Sequence, residues 1–313
     1  MSDTMDICGL KAERGQKLQT YIPVLDSNTK IPITIINGQN DGPTLLITAG
    51  IHGGEYPGIA AAIEISQAIE PEVISGCLII IHPVNIRSFW ERSAFVTPDD
   101  GKNLNREFPG DVNGTLSQKT AWLLSRHFFP LADFYADLHS GDIHEELYPY
   151  VYYPGLPNSE ISAKAREVAM VLDMKFMVRS TATTGAYNYA AISGVPSLLI
   201  ERGGAGLCRR EDIDAYKNDL HNILCKLELL CSPQQQQKHT PVDVTDVIYL
   251  ETDQAGCWFS SCRCGDKIKQ GDKLGYLTDV YNAEQDGIIL YQCSALAAPK
   301  GTILVTYGKV KNN

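Results

Sequence analysis

Apolar positions along the chain fall into short β-branched blocks bounded by Gly, Pro, Asn or Asp, and between blocks their spacing widens to that of a helix. Residues 1–19 are polar and read as a short irregular lead-in; 21–25 and 31–36 then flank Asp26, Ser27 and Asn28 and predict a hairpin. The run 45–48 meets a Gly-rich turn, as a buried strand meets a loop. Ile59, Ile63 and Ile69, with alanines between them, predict a helix over 55–69. A second buried strand is predicted at 77–81. Residues 85–110 show no clear period, and so long a loop inside a compact domain is usually functional. The pattern next predicts helices over 115–129, 158–172, 186–192 and 210–231, and strands over 133–139, 149–153, 175–178 and 197–201. Strands alternating with helices predict an α/β domain with a central sheet flanked by helices.

At 231–241 the composition turns polar and repetitive, CSPQQQQKHTP, and beyond it the helical period is gone. Short β-like runs at 246–250, 274–277, 287–292 and 302–306 alternate with Gly, Asp and Pro turns, which reads as a small all-β, barrel-like module. The expected division is a domain over 1–232, a linker over 233–241 and the β module over 242–313.

Charge narrows the partners. With 27 Lys and Arg against 37 Asp and Glu, the net charge of −10 argues against nucleic acid and against an anionic membrane surface. It leaves a small-molecule substrate open. No apolar run reaches membrane-spanning length, and the N-terminus lacks the apolar core of a secretion signal. Nine cysteines at irregular spacings do not read as a secreted disulfide framework, and Cys257, Cys262 and Cys264 make only a weak zinc pattern. Reduced thiols in the cytoplasm are the expectation. A homo-oligomer is compatible with all of this.

Three predicted strands lead into residues that can do chemistry: His52 and Glu55, then His139, then Glu201. In open α/β sheets ligands bind beyond the carboxyl ends of the strands, so these residues are expected to converge. Each alone has an ordinary reading, as a hydrogen-bonded histidine or a helix-capping carboxylate, and His82, His127, His144, His221 and His239 take it. Together, two His and one Glu are a catalytic zinc donor set with a position left for water. A further carboxylate, Glu201, could take a proton from that water and return it to a leaving group. Asp137, two residues before His139, shares its strand face and could orient an imidazole.

Four motifs in this order, HGGEYPG from His52, NLNREFPG from Asn103, DLHSG from Asp137 and LLIERGG from Leu198, resemble the succinylglutamate desuccinylase/aspartoacylase family. That family has the zinc carboxypeptidase-like fold, and the resemblance implies it here: a mixed central sheet flanked by helices, with the small C-terminal barrel. It further implies one Zn²⁺ per chain held by His52, Glu55 and His139, with Glu201 as general base and acid. Arg92 would polarise the scissile carbonyl, and Asn105 and Arg106 would grip a carboxylate of a small substrate. Arg87 lies close by in the same unperiodic segment and competes with Arg92. The implied activity is hydrolysis of the amide bond of a small N-acyl amino acid. A metallocarboxypeptidase acting on short peptides would use the same residues, and a catalytically silent binding protein of the same fold is the reading from another class. The C-terminal module is similar to the biotinyl/lipoyl-type barrel found at the end of many members, where it can wall the active-site mouth. Its stretch YNAEQDG has no Lys, so attached biotin or lipoate is not expected.

Overall fold

The β-branched blocks become the strands of one large sheet: β1 (Gln16–Pro23), β2 (Lys30–Asn37), β3 (Asn40–Ala49), β4 (Ser75–Ile81), β5 (Phe134–His139), β6 (Glu145–Leu147), β7 (Tyr150–Pro154), β8 (Phe176–Ser180), β9 (Ser197–Glu201), β10 (Val242–Glu251), β11 (Gly287–Cys293) and β12 (Ile303–Val310). The computed structural model describes residues 3–156 and 160–311. Across the sheet the order is β6-β11-β12-β10-β8-β7-β9-β5-β3-β4-β2-β1, and Lys267–Ile268 pairs with β11 as a thirteenth strand. At its centre β4, β3, β5 and β9 run parallel. Both flanks turn antiparallel, at β2–β4 and at β9–β7.

The central strands read as unbroken apolar runs because both faces are covered. Alternate residues serve opposite layers. Leu45, Ile47, Leu78, Ile80, Ala136 and Ile200 pack beneath α1 (Tyr56–Ala68), α4 (Glu160–Ala169) and α6 (Arg210–Lys226). Leu46, Ile79, Tyr135 and Leu199 face the other layer, with α3 (Leu116–Leu123) and α5 (Ala186–Ile192). A short helix, α2 (Ile86–Glu91), follows β4. β3 continues in sequence to β4 on one side, whereas its other neighbour is β5. The crevice at that switch of direction is where ligands bind in such sheets.

Several elements depart from the sequence reading. The lead-in is not irregular: Thr4–Ile7 and Leu10–Glu13 form a hairpin whose Ile7 and Ala12 are buried. Its turn is Cys8 and Gly9, both at positive φ, the geometry that suits a two-residue hairpin. The unperiodic segment 85–110 holds α2, the pairing of Val96–Thr97 with Lys102–Asn103, and a 3₁₀ turn at Leu104–Arg106. Beyond α3 the chain widens into a π turn at Leu124–Phe128 and a 3₁₀ turn at Phe129–Leu131. Pro130 there has no N–H to extend the helix. α6 stops at Lys226, with Glu228 at φ +63°. Leu227, Leu229 and Leu230 still pack on the same core, so the apolar spacing outlasts the helix. The start of the helix expected over 158–172 falls partly outside the described residues; α4 is described from Glu160.

The C-terminal strands are stitched to the rest. β10 pairs parallel with β8, and β11 pairs with β6, which closely follows His139 in the chain. The polar stretch before β10 is tied down: Gln235 N–H donates to Asn222 Oδ1 at 2.6 Å, and Gln237 Nε2 donates to the Leu172 carbonyl at 2.7 Å. No helix of the described residues is long and apolar enough to cross a membrane.

The ends of β5 and β9 are held from below by α6. The Tyr216 hydroxyl lies against the carbonyls of His139 and Ile200 and accepts from the Arg202 N–H at 3.0 Å. Arg202, next to Glu201 in the chain, is itself buried, with Nε 2.6 Å from Asp219 Oδ2. Asp219 Oδ1 also accepts from the Asp173 N–H at 3.1 Å. Asp219→Ala strands a buried guanidinium, and the expected loss is about 3–5 kcal/mol in a urea unfolding titration. A loss under about 1 kcal/mol would show that this clamp does not hold the strand ends.

Candidate active site

β3 ends at Ala49, and Gly50, at φ +73°, turns the chain out of the sheet. Gly53 then lies so close to α2 that a Cβ would meet the Phe89 nitrogen at 2.2 Å. Its N–H donates to Ser88 Oγ at 3.1 Å. This packing fixes the loop that carries His52. Glu55, at the N-cap of α1, is only 3% exposed and sends its carboxylate back toward the sheet rather than capping the helix.

That carboxylate sits between two imidazoles. Its Oε1 is 2.6 Å from His52 Nδ1 and its Oε2 is 3.0 Å from His139 Nδ1. The Ser140 N–H donates to Oε2 at 3.2 Å. The outer nitrogen of each ring also faces a polar side chain. Asn103 Oδ1 already accepts from the Asn105 N–H at 2.9 Å and lies 3.0 Å from His52 Nε2, so Nε2 carries the proton there. His139 Nε2 lies 3.1 Å from Asp137 Oδ2, while Asp137 Oδ1 accepts from Thr48 Oγ1 at 2.7 Å.

With the protons on both outer nitrogens, the two Nδ1 atoms and both oxygens of Glu55 turn lone pairs toward one another in a buried space. Such an arrangement needs a positive charge between them, either protons or a metal ion. Ligand atoms of His52, Glu55 and His139 all lie within 4.8 Å of one another, and among the described residues no other group of His, Cys, Asp and Glu does so. The donor set and the partners on the outer ring nitrogens both fit a divalent metal. Electrostatics agree. Burial pushes the Glu55 carboxyl up, but the two imidazoles facing it more than offset this and hold it at about 2. Burial pushes His139 down, and Glu55 and Asp137 lift it well above the ordinary range.

Glu201 stands opposite His139 in the parallel β9–β5 register and opposite Tyr150 in the antiparallel β9–β7 register. Its Oε2 is buried with no hydrogen-bond partner. Burial raises this carboxyl well above the carboxylate range; nearby His139 opposes the rise, and Glu55 and Glu145 add to it. A buried carboxyl whose pKa is lifted in this way is a candidate for general acid and base work.

The remaining sequence candidates lie on the 85–110 segment, which reaches the centre through Asn103. Arg92 follows α2 in the left-handed conformation, at φ 55°, is exposed, and its side chain has no hydrogen bond or ion pair among the described residues. Arg87, by contrast, is neutralised by Asp99 at 2.9 Å and Glu91 at 2.6 Å. Asn105 is buried, and its Oδ1 accepts from the Ala186 N–H at the start of α5. Arg106 is exposed and donates to the Asn105 carbonyl at 3.2 Å, with no carboxylate paired to it among the described residues. Sequence reasoning missed Asn103, although it opens one of the four motifs.

Residues 41–227 match the succinylglutamate desuccinylase/aspartoacylase catalytic domain. A curated relative, the N-α-acetyl-L-2,4-diaminobutyric acid deacetylase of Halomonas elongata, is 28% identical over 276 residues, covering 83% of this chain and 80% of that protein. Two solved structures share the fold across nearly the whole length. The succinylglutamate desuccinylase/aspartoacylase of Rhodobacter sphaeroides superposes with a TM-score of 0.83 at 24% identity, covering 95% of this chain and 96% of that one. The product-bound ectoine utilization protein EutE (DoeB) of Ruegeria pomeroyi gives a TM-score of 0.82 at 25% identity, covering 93% and 94%. The architecture is therefore the carboxypeptidase-like aspartoacylase fold, and the chain belongs to the succinylglutamate desuccinylase/aspartoacylase family.

Proposed function

We propose that this protein is a zinc-dependent amidohydrolase that removes the acyl group from a small N-acylated amino acid. The observation that carries the reading is a juxtaposition. Two imidazoles and a carboxylate turn lone pairs toward one point, and the unpartnered carboxyl of Glu201 stands in register beside His139. The matched catalytic domain and the name of the Halomonas deacetylase support hydrolysis of an acyl–nitrogen bond.

His52, Glu55 and His139 hold the ion, and zinc suits two nitrogens and an oxygen. When bound, it supplies Lewis acidity, which brings the pKa of water down to about 7 and polarises a carbonyl oxygen. Asn103 and Asp137 fix the ring orientation of the two histidines through the outer nitrogens. Glu201 takes a proton from the attacking water and delivers it to the departing amine. Its buried setting raises its basicity enough for the first step, and the acid so formed serves the second. Arg92 has a free guanidinium, whereas Arg87 is already paired, and it donates to the carbonyl oxygen as negative charge develops there. Asn105 and Arg106 grip a carboxylate of the substrate, to which a guanidinium fork is matched. Residues 1–232 form the hydrolase domain in this reading, and the β module at 242–313 walls the site. The β6–β11 pairing next to the His139 loop supports that wall.

Three substitutions test these roles. His139→Ala is expected to abolish zinc retention, and Asp137→Asn to weaken it about 10- to 100-fold in a chelator competition titration; full occupancy in the first variant would remove His139 from the ligand set. Glu201→Gln should keep its zinc while kcat falls by about 10²–10⁴, and a near-normal kcat would refute the acid–base role. Arg106→Ala should raise KM for carboxylate-bearing substrates with kcat much less affected. An unchanged KM would take Arg106 out of the pocket.

A further inference from the structure

The sheet face that carries His139 also carries a line of hydroxyls that the proposed mechanism leaves unused. Thr48, the next-to-last residue of β3, is the register partner of Asp137 on β5. Tyr135 precedes Asp137 on the same strand and points to the same face. Thr48, Tyr135 and Asp137 are all wholly buried. The Thr48 hydroxyl donates to Asp137 Oδ1 at 2.7 Å, and the Tyr135 hydroxyl lies 2.6 Å from Thr48 Oγ1. A hydroxyl has one proton to give. Thr48 commits its own to the carboxylate, so Tyr135 is the donor to Thr48. The other oxygen, Asp137 Oδ2, has no aligned donor and stands 3.1 Å from His139 Nε2, which has no aligned partner either.

Donors and acceptors therefore run one way, from Tyr135 through Thr48 to Asp137. The terminal torsion of an aspartate is soft, so an unrestrained carboxylate would turn freely about its last bond. The Thr48 hydrogen bond removes that freedom and keeps Oδ2 for the outer nitrogen of His139. An imidazole that meets an acceptor at Nε2 carries its proton there, which leaves the Nδ1 lone pair for Glu55, 3.0 Å away, and for a metal ion. The neighbours on this face are apolar: Leu46 pairs with Tyr135 and Leu199 with Asp137, and both pack in the same layer. Hydroxyls buried among such side chains are costly unless hydrogen bonded, and here their bonds all lead to the one carboxylate.

We propose that Thr48 and Tyr135 are positioning residues of the metal centre: their hydrogen bonds hold the Asp137 carboxylate in the plane in which it meets His139 Nε2, and so keep His139 Nδ1 turned toward Glu55 and His52. This rests on His139 as a metal ligand and extends that role to residues that touch neither ion nor substrate. Divalent-metal affinity then depends on a hydroxyl of β3. The strand that leads into the His52 loop thereby also orients the histidine at the end of β5.

The test is zinc affinity, measured by chelator competition. Thr48→Val keeps the shape of the side chain, removes the hydroxyl and should weaken zinc binding about 3- to 10-fold. Thr48→Ser, which keeps the hydroxyl, should stay within about twofold of the wild type. Tyr135→Phe should weaken binding in the same direction and by less. A double-mutant cycle separates this from a packing role: in an Asp137→Asn background the effects of Thr48→Val and Tyr135→Phe should vanish, because both act through that carboxylate. Wild-type zinc affinity in Thr48→Val overturns the inference, as does a loss of undiminished size in the Asp137→Asn background. Should Thr48→Val not fold, the Tyr135→Phe arm of the cycle decides by the same two outcomes. A wild-type protein that binds no zinc at all would overturn the metal reading itself, and this inference with it.

Discussion

A repulsion lies at the centre of this protein. His52 Nδ1, His139 Nδ1 and the two oxygens of Glu55 direct lone pairs at one another in a space that water hardly reaches. The Ser140 N–H relieves one oxygen of Glu55; beyond that, protons borrowed by the imidazoles would have to relieve it. A cation relieves it fully, and the Asn103 and Asp137 side chains hold both rings in the orientation a cation requires. The arrangement is thus costly to fold and useful once filled, the usual trade at a functional site.

The fold exists around this point in a concrete sense. Parallel strands β3, β5 and β9 lie side by side, so their carboxyl ends deliver His52, His139 and Glu201 to one edge. The α6 tyrosine, Tyr216, and the buried Arg202–Asp219 pair lock the last residues of β5 and β9 from beneath. On the opposite side of the site, β6 emerges from the His139 loop and joins β11, bringing the Tyr291 hydroxyl to Glu145. The proposed metal ligands and the proposed proton-transfer carboxyl therefore depend on one continuous set of strand ends. A shift in any of those strands would be felt by both.

Much of this was legible in the sequence because buried parallel strands announce themselves as unbroken apolar runs. The runs at 45–48, 133–139 and 197–201 each led to a chemical residue, and the structure brings His52, Glu55, His139 and Glu201 to one edge. Local signals failed where tertiary contacts decide. The N-terminal hairpin was hidden because its short strands alternate buried Ile7 and Ala12 with charged neighbours. α6 was overestimated because Leu227 to Leu230 keep serving the core after the helix has ended. Asn103 was invisible as an orienting group because its role depends on facing His52 across 51 residues of chain.

The most direct measurement is product identification by mass spectrometry, with and without a chelator, on a mixture of N-acetyl, N-formyl and N-succinyl amino acids and short peptides with free carboxyl ends. The account predicts loss of an acyl group from one subset of N-acyl amino acids, abolished by the chelator and restored by zinc. Turnover that persists without metal would contradict it, as would release of C-terminal residues from the peptides in place of deacylation.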